Sequence, residues 1–104
     1  MKILNAFSLS MLGVLPAYIS VTEANAEAAA QMLKNGVESC VGHADTAALF
    51  SQILGVEVPA NRVNVTLQEG ESALVGQYSG PRLPEGCTEL PSGAAIRWLV
   101  VRLV

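Results

Sequence analysis

The single histidine of the chain, His43, is the side chain best suited to proton transfer near neutral pH. It precedes a segment, residues 44–54, in which apolar residues recur at helical spacing. This pattern predicts a helix that stops at Gly55, with Asp45 and Thr46 as candidate caps of its first turn. We therefore expect His43 at the mouth of a helix, where backbone amides attract anions such as phosphate. A loop histidine that bonds only to its neighbours is the alternative interpretation.

Other polar residues lie in loops or follow predicted strands, where the side chains of a site often meet. The full candidate set is Asn5, Ser8, His43, Arg62, Gln77, Arg82 and Glu85. One histidine, two arginines and several amide or hydroxyl groups suit phosphodiester cleavage without a metal, because an RNA 2′-hydroxyl can attack its own phosphate. Taken singly, Arg62 is equally consistent with a solvated charge, and Arg82 with a partner of Glu85.

The composition is that of one folded domain. The chain has 104 residues, of which 51% are hydrophobic and 14% are charged. Its net charge of −3 argues against a broad electrostatic grip on duplex DNA, which requires a basic face. Two or three arginines can still form a local positive pocket for a small phosphate ligand.

The two cysteines, Cys40 and Cys87, have no repeated spacing, and one histidine is too few for a typical zinc site. We therefore predict reduced cysteines, no metal and no cofactor. Residues 1–26 have the outline of a secretory signal, but Pro16 and several polar residues interrupt the apolar run. No uninterrupted stretch approaches the roughly 18 residues of a membrane span.

The alternating and helical patterns predict a single α/β domain, residues 1–104, with a mixed sheet of about five strands and two main helices. The predicted strands are residues 2–5, 18–22, 62–67, 73–79 and 96–104, with 37–41 as a further strand or link, and the predicted helices are 24–34 and 44–54. Residues 18–22 alternate as a half-buried strand does. Residues 62–67 alternate strictly, which predicts a hairpin with 73–79 and Val63, Val65 and Leu67 facing inward.

Four pieces of the chain together resemble the viral-type ring nucleases, the anti-CRISPR enzymes of archaeal viruses and phages, and their cellular relatives. These pieces are Ile3–Leu12, Val41-Gly42-His43, Asn61-Arg62-Val63, and Gln77 with Arg82-Leu83-Pro84-Glu85-Gly86. The Asn-Ala-Phe-Ser opening is specific, and the other pieces gain weight from their shared order and spacing. The resemblance covers essentially the whole chain and favours a folded amino terminus over a signal peptide.

The resemblance implies a homodimeric enzyme of the cytoplasm (the host cytoplasm for a viral protein) that degrades cyclic tetra-adenylate, the messenger of type III CRISPR complexes. The products are linear di-adenylates with 2′,3′-cyclic phosphate ends, and neither a metal, a membrane nor stable binding of duplex DNA is implied. His43 is the implied general acid, Arg82 stabilises the scissile phosphate and Glu85 orients the site. The implied substrate-binding residues are Asn5, Ser8, Arg62, Gln77 and Asp45.

Asp45 stands where relatives carry a serine. Its carboxylate repels phosphate if it faces the ligand and is harmless as a cap of its own helix. One alternative function is a dimer that binds cyclic nucleotides or nucleic acid without cleaving them. Another is a small secreted protein with a Cys40–Cys87 bridge.

Overall fold

A mixed sheet of five strands, in the order β2–β5–β4–β1–β3, forms the centre of the described part of the chain. The computed structural model describes residues 1–87 and 89–104. The strands are β1 (Lys2–Leu4), β2 (Ile19–Ala24), β3 (Glu38–Ser39), β4 (Ser72–Ser79) and β5 (Ala95–Leu103). Strand β1 runs parallel to β3 and β4, whereas β5 runs antiparallel to β4 and β2. The predicted α/β class and mixed sheet are confirmed.

Two helices, α1 (Ala26–Met32) and α2 (Ala44–Leu54), cover one face of this sheet. The Asn25 side chain caps α1 by accepting a hydrogen bond from the amide of Ala28 at 2.7 Å. Helix α2 ends at Gly55 in the left-handed conformation, as its glycine predicted. Phe50 of α2 packs edge-on against Trp98 of β5, with ring centroids 4.9 Å apart. These aromatic rings form the centre of the core beneath the helices.

The opposite face is covered by a short 3₁₀ turn (Leu9–Met11) and by irregular segments instead of helices. The predicted strand at residues 62–67 is wrong: of this segment, only Leu67 makes a bridge, to Leu12. The predicted hairpin is also wrong, because β4 pairs with β1 and β5. The alternation reflects packing on the second face for Val65 and Leu67, while Val63 is about half exposed.

Strand β2 lies at one edge of the sheet and has only β5 as a neighbour. The strand predicted at residues 18–22 is confirmed as β2, but its predicted half-burial is wrong, since Tyr18, Ile19 and Val21 are all exposed. Apolar and polar residues do alternate along β2, but no other layer of the described protomer covers the apolar side chains. An exposed apolar edge of this kind is typical of a surface that meets another molecule.

The parallel arrangement of β1, β3 and β4 places their carboxyl ends at one edge of the sheet. The register aligns Ile3 with Ser39 and Leu4 with Val75. The residues that follow these strands, or end them, therefore come together at that edge, which is where open α/β sheets commonly bind ligands. Neither described helix is long and apolar enough to cross a membrane.

Candidate functional site

His43 lies immediately before α2, with its backbone in an extended conformation (φ −120°, ψ 127°) and its side chain exposed. The residue itself occupies the N-cap position, but its side chain forms no capping hydrogen bond. The expectation that Asp45 and Thr46 cap the helix is wrong, because α2 already begins at Ala44. Asp45 instead accepts a hydrogen bond from the amide of Gly86 at 3.4 Å.

Arg62 is brought to His43 by hydrogen bonds of its neighbour, Asn61. The Asn61 side chain donates to the carbonyl of Ser39 at 2.8 Å, and the backbone N–H of Asn61 donates to the carbonyl of Val41 at 2.7 Å. The aliphatic part of Arg62 then lies over Gly42, where an added Cβ would be 3.4 Å from its Cγ. The absence of a side chain at residue 42 therefore lets Arg62 approach the backbone next to the histidine.

A small cavity of about 210 Å³ at the carboxyl ends of β1 and β3 brings together three predicted site residues, Asn5, His43 and Arg62. We call it the His43 cavity. Its remaining lining residues are mainly apolar: Leu4, Ala6, Met11, Cys40, Gly42, Val63 and Val65. Burial raises the pKa of the Cys40 thiol, which keeps it protonated beside the cavity. Cys40 and Cys87 are both free, so the secreted, bridged alternative loses its disulfide.

Gln77 lies in a neighbouring groove of about 410 Å³ on the second face of the sheet. This Gln77 groove shares Asn5 and Ala6 with the His43 cavity. Its other lining residues are Phe7, Val21, Val75, Tyr78, Leu99 and Val101. Asn5 therefore stands between the two concavities and can contact a ligand that extends from one to the other.

Arg82 and Glu85 lie on the loop that follows β4, outside the linings of both concavities. This loop is attached at both ends: the Tyr78 hydroxyl donates to the carbonyl of Pro81, and the Gly86 amide donates to Asp45. Both arginine and glutamate side chains are exposed between these attachments. Through Gly86, the segment that carries the two groups is joined to the first turn of α2.

Ser8 has a local role in this structure. Its hydroxyl caps the 3₁₀ turn by accepting a hydrogen bond from the amide of Ser10 at 3.3 Å, and it lines neither concavity. Two residues that position this region, Asn61 and Tyr78, had no role predicted from the sequence. Asn61 follows a Pro-Ala turn, but its partner, the carbonyl of Ser39, lies 22 residues earlier in the sequence. Tyr78 follows Gln77, and its bond to the carbonyl of Pro81 depends on the conformation of the loop.

None of the basic groups of this region forms an ion pair among the described residues. His43, Arg62 and Arg82 share this with Lys34 and Arg102, whereas Lys2 and Arg97 pair with glutamates. The described residues also contain no group of three or more His, Cys, Asp and Glu side chains arranged to hold a metal. The arrangement therefore offers cationic and amide groups to an anion, together with one side chain that can transfer a proton.

Comparison with known proteins gives the same fold and a family. The structure of B116 of Sulfolobus turreted icosahedral virus (STIV) matches this chain with a TM-score of 0.84 and 28% sequence identity, over 97% of each chain. No curated protein matches the chain significantly. The family model described as STIV B116-like matches residues 1–92. The chain therefore belongs to the STIV B116-like family.

Proposed function

We propose that this protein is a ring nuclease that cleaves cyclic tetra-adenylate into linear di-adenylates with 2′,3′-cyclic phosphate ends. Its action would remove the messenger of type III CRISPR signalling. The observation that carries the proposal is the meeting of Asn5, His43 and Arg62 around one cavity. The resemblance to viral-type ring nucleases supports it, as does the likeness to a protein of an archaeal virus.

The chemistry requires no group that the described residues lack. The ribose 2′-oxygen bonds to phosphorus and its proton passes to water, while the bond between phosphorus and the 5′-oxygen breaks. His43 donates a proton to that departing oxygen. Arg82 stabilises the charge that develops on the phosphate and Glu85 orients the site. Because the described chain offers no other histidine, His43 is the natural general acid.

Substrate binding falls to the uncommitted polar groups around the two concavities. Arg62 pairs with a phosphate of the ring from the side of the His43 cavity. Asn5 and Gln77 donate and accept hydrogen bonds with sugars and bases along the path into the Gln77 groove. Ser8 and Asp45 were expected among these residues, but each already accepts a hydrogen bond from a backbone amide, that of Ser10 and that of Gly86. We therefore give substrate binding to Asn5, Arg62 and Gln77.

The size of the His43 cavity favours a two-fold dimer. Its volume of about 210 Å³ is below the roughly 300–1,000 Å³ of pockets that enclose drug-sized ligands. One protomer can therefore hold only part of a four-nucleotide ring. A two-fold dimer brings two such cavities to opposite linkages of a ring that has its own symmetry, which accounts for cleavage into two di-adenylates.

The second face of the sheet is the surface that suits this dimer. It lacks a helical layer, and large apolar side chains near it are exposed: Leu9, Val14, Leu15, Tyr18 and Val21. An apolar surface of this extent favours association. Pairing through this face would also bring two Gln77 grooves together and make a continuous site from two halves.

The decisive experiment incubates labelled cyclic tetra-adenylate with the protein in EDTA, beside His43→Ala and a cyclic hexa-adenylate control. We expect conversion to di-adenylate with a cyclic phosphate end, and a large loss of rate in the variant. Tight binding without turnover, in the wild type, would instead identify a dimer that sequesters the messenger. Neither binding nor cleavage would contradict the proposed function.

The dimer is tested separately, by sedimentation of the wild type and of Tyr18→Glu. This substitution adds a charge beside the exposed edge strand, removes no buried side chain and leaves the linings of both concavities unchanged. We expect a dimer in the wild type and a folded, inactive monomer in the variant. A wild-type monomer that cleaves the ring at full rate would contradict the two-fold arrangement.

A further inference from the structure

Asp45 occupies the second position of α2, beside a site whose ligand is anionic under the proposed function. A carboxylate there is unfavourable for phosphate binding unless it has another task. Its observed partner is the amide of Gly86, 41 residues away in the sequence, and not an amide of its own helix. Asp45 thus joins the helix that begins after His43 to the loop that carries Arg82 and Glu85.

The loop has a definite conformation between its two attachments. At its beginning, the Tyr78 hydroxyl donates to the carbonyl of Pro81. Around its end, the Cys87 amide donates back to the carbonyl of Pro84 at 3.2 Å. At its end, Gly86 adopts a left-handed conformation (φ +73°) and directs its amide to Asp45. Pro81 and Pro84 further restrict the backbone between these points.

We propose that Asp45 is a positioning residue that fixes the Arg82–Glu85 loop to the first turn of α2, and so sets the distance between these two groups and His43. This inference rests on the proposed function for its catalytic consequence, but the attachment itself is a separate structural claim. The interaction is a charge-assisted hydrogen bond between a carboxylate and a backbone amide. It also removes one lone pair of Asp45 from contact with the ligand.

Three variants separate the hydrogen bond from the charge. Asp45→Ala removes both, whereas Asp45→Asn keeps a carbonyl acceptor of the same shape and removes only the charge. Glu27→Ala is the matched control, because Glu27 is an acidic residue in the first turn of α1. Loss of a negative charge at the amino terminus weakens any helix. Glu27→Ala measures the size of this general effect, which is then separated from the effect of losing the Asp45 hydrogen bond.

The attachment is measured by limited digestion with trypsin, which cleaves after Arg82 only when this loop opens. The rate after Arg82 is compared with that of the wild type at equal trypsin concentration, because cleavage after Lys34, in the turn that follows α1, could itself change in Glu27→Ala. We expect Asp45→Ala to raise the relative rate after Arg82 by about two- to fivefold, the change given by one exposed hydrogen bond. Asp45→Asn should lie near the wild type, and Glu27→Ala should equal it. Equal rates in all four proteins would overturn the proposal.

The catalytic consequence is measured on cyclic tetra-adenylate in the same proteins. We expect Asp45→Ala to lower kcat by about two- to fivefold, with a change in melting temperature no larger than that of Glu27→Ala, and Asp45→Asn to restore most of kcat. If Asp45→Ala and Asp45→Asn both lower KM, and this gain in apparent affinity shrinks with added salt, then Asp45 acts by repelling phosphate. The positioning role is wrong in that case. If even the wild type fails to cleave, the proposed function fails, while the trypsin result still decides whether Asp45 holds the loop.

Discussion

The two ends of the parallel strands β1, β3 and β4 use charged side chains in opposite ways. At the amino end, the Lys2 ammonium bonds to Glu71 and lies 3.4 Å from the carboxylate of Glu38. At the carboxyl end, His43 and Arg62 line a cavity and have no ion-pair partner among the described residues. The same strands thus end in a satisfied cluster on one side and in available groups on the other.

This difference favours the carboxyl end as the one that binds a ligand under the proposed function. Paired charges satisfy one another and contribute to stability over a range of pH. Unpaired basic groups around a concavity make no such contribution and remain available to a ligand. The comparison therefore predicts that substitutions at the carboxyl end change activity and leave stability nearly intact. Substitutions at the amino end should have the reverse effect.

The largest expected effect is the loss of activity in His43→Ala. Removal of a general acid should slow the cleavage of cyclic tetra-adenylate by about 10²- to 10⁴-fold. The side chain is exposed and forms no capping hydrogen bond, so the melting temperature should not change. Single-turnover kinetics and thermal unfolding of the same preparation check both halves of the prediction. A fall of several degrees in melting temperature would show that His43 has a structural role.

Arg62→Ala should have the next largest effect, mainly on substrate binding. Loss of a charge-assisted contact with phosphate should raise KM by about 10- to 100-fold. Arg102→Ala is the matched control, because Arg102 is an exposed arginine that pairs in the sheet with Ser72, at the start of β4. Steady-state kinetics of the two variants give the comparison. Equal KM values would mean that the location of the arginine is irrelevant.

A substitution between the two ends should affect stability alone. A Cβ at Gly76 would lie 2.5 Å from Phe50 and 2.6 Å from Trp98, so Gly76→Ala forces two packed rings apart. Overpacking of this kind costs about 1–3 kcal/mol in the free energy of unfolding. Gly42→Ala is the contrasting variant, since its Cβ meets only Arg62 at 3.4 Å. Denaturant unfolding should show a large loss for the first and little for the second.

The smallest effect is expected at the amino end, where Lys2 and Glu71 make stability depend on pH. The hydrogen bond with Lys2 lowers the pKa of Glu71, and the same bond raises the pKa of Lys2. The contribution of Glu71 is therefore present above its ordinary pKa of 4.5 and is lost as the pH falls through the lowered value. The contribution of Lys2 is present below 10.5 and is lost as the pH rises through the raised value.

Lys2→Met tests this cluster. We expect it to lower the free energy of unfolding at pH 7 by about 1 kcal/mol or less, the usual value of a partly exposed pair. The difference from the wild type should shrink in acid, where Glu71 is protonated, and the ring-cleaving activity should stay the same. Thermal unfolding between pH 3 and pH 7 measures the first result. A difference that persists unchanged at pH 3 would show that the methylene packing of Lys2 matters more than its charge.

The sequence by itself determined the features that depend on neighbouring residues. Helix α2 and its end at Gly55 follow from apolar spacing and from the ease with which glycine adopts a positive φ. The strand at the carboxyl terminus, β5, follows from a run of residues that favour strands, and it pairs with β2 on one side and β4 on the other. The loop that presents Arg82 and Glu85 follows from its glycines and prolines, which cannot continue a strand.

Only the tertiary structure decided the features that depend on distant residues. Residues 62–67 alternate like a strand, yet a strand exists only where a partner offers hydrogen bonds, and β4 already has β1 and β5. Alternation in β2 likewise could not say that this strand lies at an exposed edge. The sequence supplied the candidate side chains, but the parallel register of β1 and β3 brought Asn5 to His43, and Asn61 brought Arg62 to the same cavity. Spacing along a chain fixes local conformation, whereas the meeting of distant side chains depends on which strands pair.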